Sequence, residues 1–148
     1  MAEEPMTDAE LVEVLEEEFR KEAQRQGLPR GIPKAKRGTA FEHCVATMIE
    51  TLEEKQGWQG DPHDEWVTGA PGDVGCDLWL QDEVSERILV IQTKYRDPGT
   101  SIEESDYNNF IDKPEKHIDV DWVEKHANQR VGELLAGLDT KYDDGWNV

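Results

Sequence analysis

Two short apolar runs near the middle of the chain constrain its fold more than any other feature. They lie at residues 72–80 and 88–95, are rich in apolar and β-branched residues, and are separated by the segment Gln81 to Arg87. Runs of this kind on either side of a polar segment predict two antiparallel strands joined by a loop. The rest of the chain is therefore expected to pack around a hairpin.

Polar residues interrupt this hairpin where a buried strand would stay apolar: Asp77 at the start of the first run, and Gln92 and Lys94 at the end of the second. If Leu80 faces Leu89, an antiparallel ladder sets Asp77 opposite Gln92, on one face of the sheet. Lys94, two residues on, shares that face. A shift of one residue would send Asp77 to the other side, so the proposed site depends on this register.

An acid, an amide oxygen and a lysine on one face suit the chemistry of a metal-dependent phosphodiesterase. Magnesium prefers hard oxygen ligands, and side-chain oxygens together with a phosphate oxygen satisfy it while it keeps several waters. The metal acidifies a bound water, and a lysine ammonium stabilises charge that develops on the phosphate. The alternative without a functional site is an edge strand whose Gln and Lys side chains face solvent, beside a turn-forming loop.

The two elements Gly75-Cys76-Asp77 and Gln92-Thr93-Lys94-Tyr95 resemble the PD-(D/E)xK nuclease superfamily. The likeness is closest to Mrr-like endonucleases and to the amino-terminal nuclease domain of abortive-infection phage-resistance proteins. It implies an α/β restriction-endonuclease-like core, a small mixed β-sheet flanked by helices, and a Mg2+ or Mn2+ cofactor. It also implies that Asp77 is the metal-binding acid, Gln92 the second ligand and Lys94 the catalytic lysine.

The same resemblance implies an acid on the first core helix, and Glu42, directly after Phe41, is the candidate metal ligand. Asp73 is a secondary metal candidate, although turn chemistry alone explains an Asp after Pro71-Gly72. Gln92 replaces a carboxylate by an amide, so a further acid such as Glu42 has to compensate the lost charge. His43 is a weaker ligand candidate. His63, Asp64 and Glu65 lie near the proposed site without a spacing that assigns them a role.

Hydrophobic periodicity and capping patterns predict the remaining elements within one domain, 1–148. We divide it into an N-terminal helix and basic segment (1–37), a core with the hairpin (38–113) and a C-terminal helix and tail (114–148). The predicted elements are helices at 8–27, 38–55, 102–110 and 115–138, a short strand at Trp66 and Val67, a chain break at Pro114, and a frayed tail at 139–148.

A basic segment follows the first helix. Between residues 20 and 37 the chain holds seven bases and a single acid, Glu22. This concentration predicts a strip that contacts phosphates, whereas a charged linker paired with acidic helices explains it equally well. Arg96 is close enough in sequence to Lys94 to join such contacts. The predicted nucleic-acid-binding residues are Arg30, Lys34, Lys36, Arg37 and Arg96.

The whole chain is strongly acidic, with 34 acids against 16 bases and a formal net charge of −18. This charge argues against a protein that coats nucleic acid without specificity, and it is typical of proteins from a salt-rich cytoplasm or of an acidic DNA mimic. Two cysteines form neither a disulfide framework nor a metal motif, and no stretch has the pattern of a signal peptide or membrane span. We therefore expect a cytoplasmic protein.

These observations predict a metal-dependent DNA endonuclease that hydrolyses phosphodiester bonds, with defence against foreign DNA as the implied context. A Holliday-junction resolvase or another repair nuclease is the first alternative. A non-catalytic nucleic-acid-binding module or a DNA mimic is the second. We expect DNA as the partner. We also expect that the chain forms a homodimer or is part of a larger defence protein.

Overall fold

The computed structural model describes residues 4–53, 57–68, 72, 75–96 and 103–148. Within these ranges the protein is mixed α/β, with helices around one antiparallel pair of strands. The elements in chain order are α1 (Asp8–Gln26), a 3-10 turn (Lys34–Lys36), α2 (Arg37–Glu53), a π-helical turn (Pro62–Trp66), β1 (Leu78–Asp82), β2 (Arg87–Ile91), α3 (Glu104–His117), α4 (Val120–His126), α5 (Gln129–Leu135) and α6 (Leu138–Asp143).

Helix α1 begins and ends where its sequence predicts. The Thr7 hydroxyl accepts from the Glu10 amide, and the Glu10 carboxylate accepts from the Thr7 amide, which completes a capping box. Gly27 ends the helix in the left-handed conformation at φ 71°, which favours glycine because it has no Cβ. The first turn of α2 begins at Arg37, one residue before the predicted start.

The hairpin has the predicted register. Leu80 pairs with Leu89, and the ladder runs from Leu78 opposite Ile91 to Asp82 opposite Arg87. The loop is shorter than predicted, because residues 81, 82 and 87 belong to the strands and only 83–86 form the turn. The Asp82 carboxylate explains the difference: it accepts the amides of Val84 and Ser85 and so closes a tight turn.

Single bridges extend the hairpin on both sides. Val67 bridges Leu78 in antiparallel fashion, while Trp66 belongs to the π-helical turn, so the predicted strand at these two residues was half wrong. The tail was predicted to fray, which was wrong. Asn147 bridges Arg87 in parallel, its carbonyl accepts the Ile88 amide, and Trp146 packs against the core, so burial of an indole and pairing of a free strand edge hold the terminus in place.

The C-terminal half differs most from expectation. The predicted break at Pro114 is absent, because α3 continues through it to His117, a buried residue whose Nε2 lies 3.7 Å from the Sγ of Cys76. The predicted single helix over 115–138 is instead divided, since Asp119 and Asn128 each cap the start of a new helix with their side chains. The apolar residues whose spacing predicted that helix still pack into one core cluster: Val123, Ala127, Val131, Leu134, Leu135 and Leu138.

The two faces of the hairpin are covered by different layers. Trp79, Ile88 and Val90 pack against the C-terminal helices, whereas Leu78 and Leu80 pack against α2 and the π-helical turn. A third cluster joins α1 to α2. Alternation of side chains along β1 thus anchors both halves of the chain to one small sheet. Every helix in the described ranges is too short or too polar to span a bilayer.

Candidate metal and nucleic-acid site

The open end of the hairpin, which we define by Asp77, Gln92 and Thr93, lies where β1 begins and β2 ends. The Asp77 amide donates to the Ile91 carbonyl at 3.0 Å. The Asp77 carboxylate reaches across the pair, where its Oδ2 accepts the Thr93 amide at 2.6 Å and the Thr93 hydroxyl at 3.4 Å. Asp77 is buried, so these bonds hold a carboxylate in a fixed position.

Gln92 directly follows Ile91, the last paired residue of β2, whose carbonyl accepts the Asp77 amide. Its Oε1 is buried and accepts no hydrogen bond from any residue that the structure describes. Gly75 makes room for it: its backbone has φ 84°, and a Cβ there would lie 3.4 Å from Gln92 Oε1 and from the Lys113 side chain. A buried amide oxygen without a donor costs about 1–3 kcal/mol, which a bound cation or water would recover.

Lys94 and Arg96 lie at the exit of β2 and converge on one acid of α3. The Lys94 ammonium is 3.9 Å from the Asp106 carboxylate, and the Arg96 guanidinium is 2.5 Å from it. Gln92, Lys94 and Asp106 line a hollow of about 200 Å³ together with Tyr107 and Phe110. Asp106 thus holds both basic groups beside the open end. The sequence had not singled out this acid.

Glu42, the predicted acid on the first core helix, lies on α2 with its Oε2 atom buried. The neighbouring Phe41 ring contacts the Tyr95 ring at a centroid distance of 5.9 Å. Tyr95 directly follows Lys94 in the segment after β2. The ring contact therefore places the turn of α2 that carries Glu42 beside that segment. Asp73 lies outside the described residues.

The basic segment meets the same strand exit through Arg37. Its Nη1 lies 3.2 Å from the Tyr95 hydroxyl and 3.0 Å from the Glu16 carboxylate, and its guanidinium packs 5.2 Å from the centre of the Phe19 ring. Arg30, Lys34 and Lys36 are exposed. A basic strip therefore begins next to the open end of the hairpin, while Arg37 is partly engaged by an acid of α1.

A second group of ligand-type side chains lies away from the hairpin, at the junction of α1, α2 and the π-helical turn. Glu22, His43 and His63 each offer one ligand atom, and these atoms all lie within 4.8 Å of one another. The two histidine Nδ1 atoms are 2.9 Å apart, and the rings stack at a centroid distance of 5.1 Å. We call these three residues the Glu–His–His group.

The environment of this group sets its charge. Burial lowers the pKa of His43 below its ordinary value, although Glu22 acts in the opposite direction. Burial alone would raise the pKa of Glu22, but hydrogen bonds from Arg25 and Gln26 outweigh it and hold that pKa below the usual range. The group therefore combines a carboxylate with an imidazole that favours its neutral form.

Sequence reasoning proposed His43 only as a weak ligand and gave His63 no role. The three residues are separated by about twenty positions each, and they show none of the short spacings that identify metal motifs. The one local signal was Asp61, whose carboxylate accepts the amides of His63 and Asp64 and so fixes the turn that presents His63. Only the packing of three segments brings the group together.

Searches with models of protein families, among curated proteins and among solved structures found no match to this chain.

Proposed function

We propose that this protein hydrolyses DNA phosphodiester bonds with Mg2+ or Mn2+ at the open end of the hairpin, on a restriction-endonuclease-like core. The observation that carries the proposal is the buried Oε1 of Gln92, which no described donor satisfies, at the same end of the hairpin as the buried Asp77. A divalent cation needs hard oxygen ligands, and these side chains supply a carboxylate and an amide oxygen.

Asp77, Gln92 and Glu42 would hold the metal. When bound, it would acidify a water and neutralise charge on the attacked phosphate. The Thr93 amide keeps the Asp77 carboxylate in place, so this ligand need not reorganise on binding. In this proposal Glu42 would supply the negative charge that is lost at Gln92.

Lys94 would assist catalysis from the adjacent hollow. Its ammonium is 3.9 Å from Asp106, which is beyond hydrogen-bond distance, and its side chain is 41% exposed, so a phosphate can compete for it at little cost. Arg37 and the exposed bases of the 3-10 turn would contact phosphates along the strand. This strip supports DNA as the partner despite the acidic remainder of the surface.

The resemblance to phage-resistance nucleases extends the proposal to defence against foreign DNA, as a homodimer or as a module of a larger protein. Four-way junctions belong among the test substrates because junction resolvases share the fold and act as dimers.

The test is cleavage of plasmid, linear, single-stranded and four-way-junction DNA with Mg2+ or Mn2+, at low and at molar salt. We expect the wild type to cut at least one substrate, and Asp77→Asn and Lys94→Ala to reduce the rate by about 100-fold or more. Asp82→Asn is the matched control, since Asp82 is a second buried aspartate of the same hairpin and lies at its other end.

Cutting by Asp77→Asn at the wild-type rate would overturn the proposal, and so would folded wild-type protein that cuts nothing in any condition. Binding of DNA without cutting in that case would assign a non-catalytic module instead. Folded wild-type protein that neither cuts nor binds DNA would point instead to a DNA mimic that binds a protein partner.

A further inference from the structure

We propose that the Glu–His–His group is a zinc site, separate from the hairpin, that joins α1 and α2 to the π-helical turn. Two imidazole nitrogens and a carboxylate oxygen form the donor set that Zn2+ and related transition ions prefer, whereas Mg2+ disfavours nitrogen. Each ligand comes from a different element, so a bound ion would link three segments that are otherwise far apart in the sequence.

The distances are close to those of a bound state. Tetrahedral zinc with bonds of ~2.0–2.1 Å separates two ligand nitrogens by about 3.3 Å. The Nδ1 atoms of His43 and His63 are 2.9 Å apart, so the rings need to separate by only a few tenths of an ångström. The carboxylate oxygen lies within 4.8 Å of both histidine ligand atoms and has to approach by up to about 1.5 Å, which a glutamate side chain can do by rotation.

Hydrogen bonds set the tautomer of His63 that a metal requires. The Thr47 hydroxyl donates its only proton to the His43 carbonyl at 3.1 Å. It therefore accepts from His63 Nε2, 3.3 Å away, which leaves the lone pair of His63 Nδ1 directed at His43. A metal-binding histidine usually donates its other ring N–H to a fixed acceptor in this way.

In the metal-free protein, His43 Nδ1–H then donates to His63 Nδ1. Zinc would take the place of this proton between the two nitrogens, and the proton would move to His43 Nε2 through solvent, since His43 is only half-buried. No net proton is released from His43 by this exchange. The imidazole is neutral in both states, in keeping with the burial around it.

Glu22 is prepared as the third ligand by its own partners. Arg25 donates to both of its oxygens, at 2.9 and 2.5 Å, and Gln26 donates at 2.8 Å. These three bonds from described residues use three of the roughly four acceptor positions of a carboxylate. One position remains for a metal, the carboxylate stays ionised, and a water would complete a four-coordinate site.

The test is Zn2+ binding by the full chain after removal of metals with a chelator, measured by calorimetry in millimolar Mg2+, which fills sites made of oxygen alone. We expect one zinc per chain, a rise of the thermal unfolding midpoint on addition of zinc, and an affinity at least about 10-fold lower in His63→Gln and in Glu22→Gln. His126→Gln is the control, because that exposed histidine lies outside the group and its Nδ1 is 2.8 Å from the Trp122 carbonyl of its own helix.

Circular dichroism of each metal-free variant separates loss of a ligand from loss of folding, and His43→Gln provides a third ligand variant if one of the others unfolds. Zinc affinity equal to wild type in all folded ligand variants would overturn the proposal, as would the absence of stoichiometric binding by the wild type. Binding that Asp77→Asn removes and His63→Gln retains would likewise overturn it, because the ion would then lie at the hairpin.

Discussion

The two ends of the hairpin each carry a buried aspartate, but the two carboxylates have different surroundings. At the turn end, Asp82 accepts the amides of Val84 and Ser85 and pairs with Arg87 at 3.2 Å, so these donors all lie within five residues of it. At the open end, Asp77 bonds across the strands to Thr93, beside an amide oxygen of Gln92 that the described residues leave without a donor.

We interpret this difference as one between a structural role of Asp82 and the proposed metal-binding role of Asp77. A carboxylate that accepts the amides of its own turn stabilises that turn. The open end, with a carboxylate that Thr93 holds and a buried amide oxygen on Gln92, offers the ligand types that the proposed cation site requires. Variants at the two ends of the hairpin test whether one aspartate acts in stability and the other in cleavage.

The largest effect is expected from truncating each aspartate. Asp82→Ala leaves two turn amides and the Arg87 guanidinium without their acceptor, so it should lower the thermal unfolding midpoint more than Asp77→Ala does. DNA cleavage should show the opposite order, with Asp77→Ala losing about 100-fold or more and Asp82→Ala nearly unchanged below its midpoint. Equal losses of both properties in both variants would remove the distinction between the ends.

The pH dependence of the free energy of unfolding tests the structural role of Asp82. The Ser85 amide, with Arg87 and the Val84 amide, lowers the pKa of Asp82 in the folded protein and outweighs its burial. A pKa that is lower in the folded than in the unfolded state stabilises the fold above the unfolded value of about 3.9, and this stabilisation is lost as the pH falls through the folded pKa. The difference between wild type and Asp82→Asn in the free energy of unfolding, measured with urea, should therefore be constant from about pH 5 to 7 and shrink below about pH 4. A difference that persists undiminished to pH 2 would contradict this.

A third comparison uses two glycines with positive φ. Gly75→Ala and Gly27→Ala both force a Cβ into a left-handed backbone, at φ 84° and 71°, and each should cost about 1–2 kcal/mol of stability. No described atom lies within 4 Å of a Cβ at Gly27, whereas a Cβ at Gly75 would contact Gln92 Oε1. Chemical denaturation should show similar losses, but only Gly75→Ala should reduce cleavage. A similar effect of both on cleavage would mean that access to Gln92 is unimportant.

The smallest effects are expected from the arginines. Arg87 pairs with Asp82 and lies 4.1 Å from the centre of the Trp58 ring, so Arg87→Met should cost about 1 kcal/mol from the lost ring contact alone. Arg96 pairs with Asp106 at an exposed position, and Arg96→Met should cost less than about 0.5 kcal/mol. Urea unfolding of both variants measures this, and a larger loss for Arg96→Met would show that the open end is the more rigid of the two.

Local patterns in the sequence were sufficient for part of the fold. The capping box at Thr7 and Glu10 and the glycine at 27 defined α1, and the alternation of apolar residues gave the hairpin with Leu80 opposite Leu89. That register is fixed by which residues need burial, and the pairs from Leu78 opposite Ile91 to Asp82 opposite Arg87 followed from it. The functional roles of these residues remain predictions.

Local patterns failed where two signals competed. An apolar stripe favoured one long helix near the C-terminus, but Asp119 and Asn128 offered caps that divided it, and the stripe was buried all the same. Periodicity reports which side chains are buried, and it does not report whether the backbone between them is continuous. Pro114 shows the converse, since α3 continues through it to the buried His117 although a proline usually interrupts a helix.

The sequence by itself determined the hairpin, its register and the acidic surface, because each depends on residues a few positions apart or on composition alone. The tertiary structure decided which side chains from distant segments meet. The Glu–His–His group forms only when α1 and the π-helical turn pack against α2, and Arg37 reaches Tyr95 only when the basic segment packs beside β2. Such contacts arise from burial of shared apolar surface, which acts between any two segments whatever their separation in the sequence.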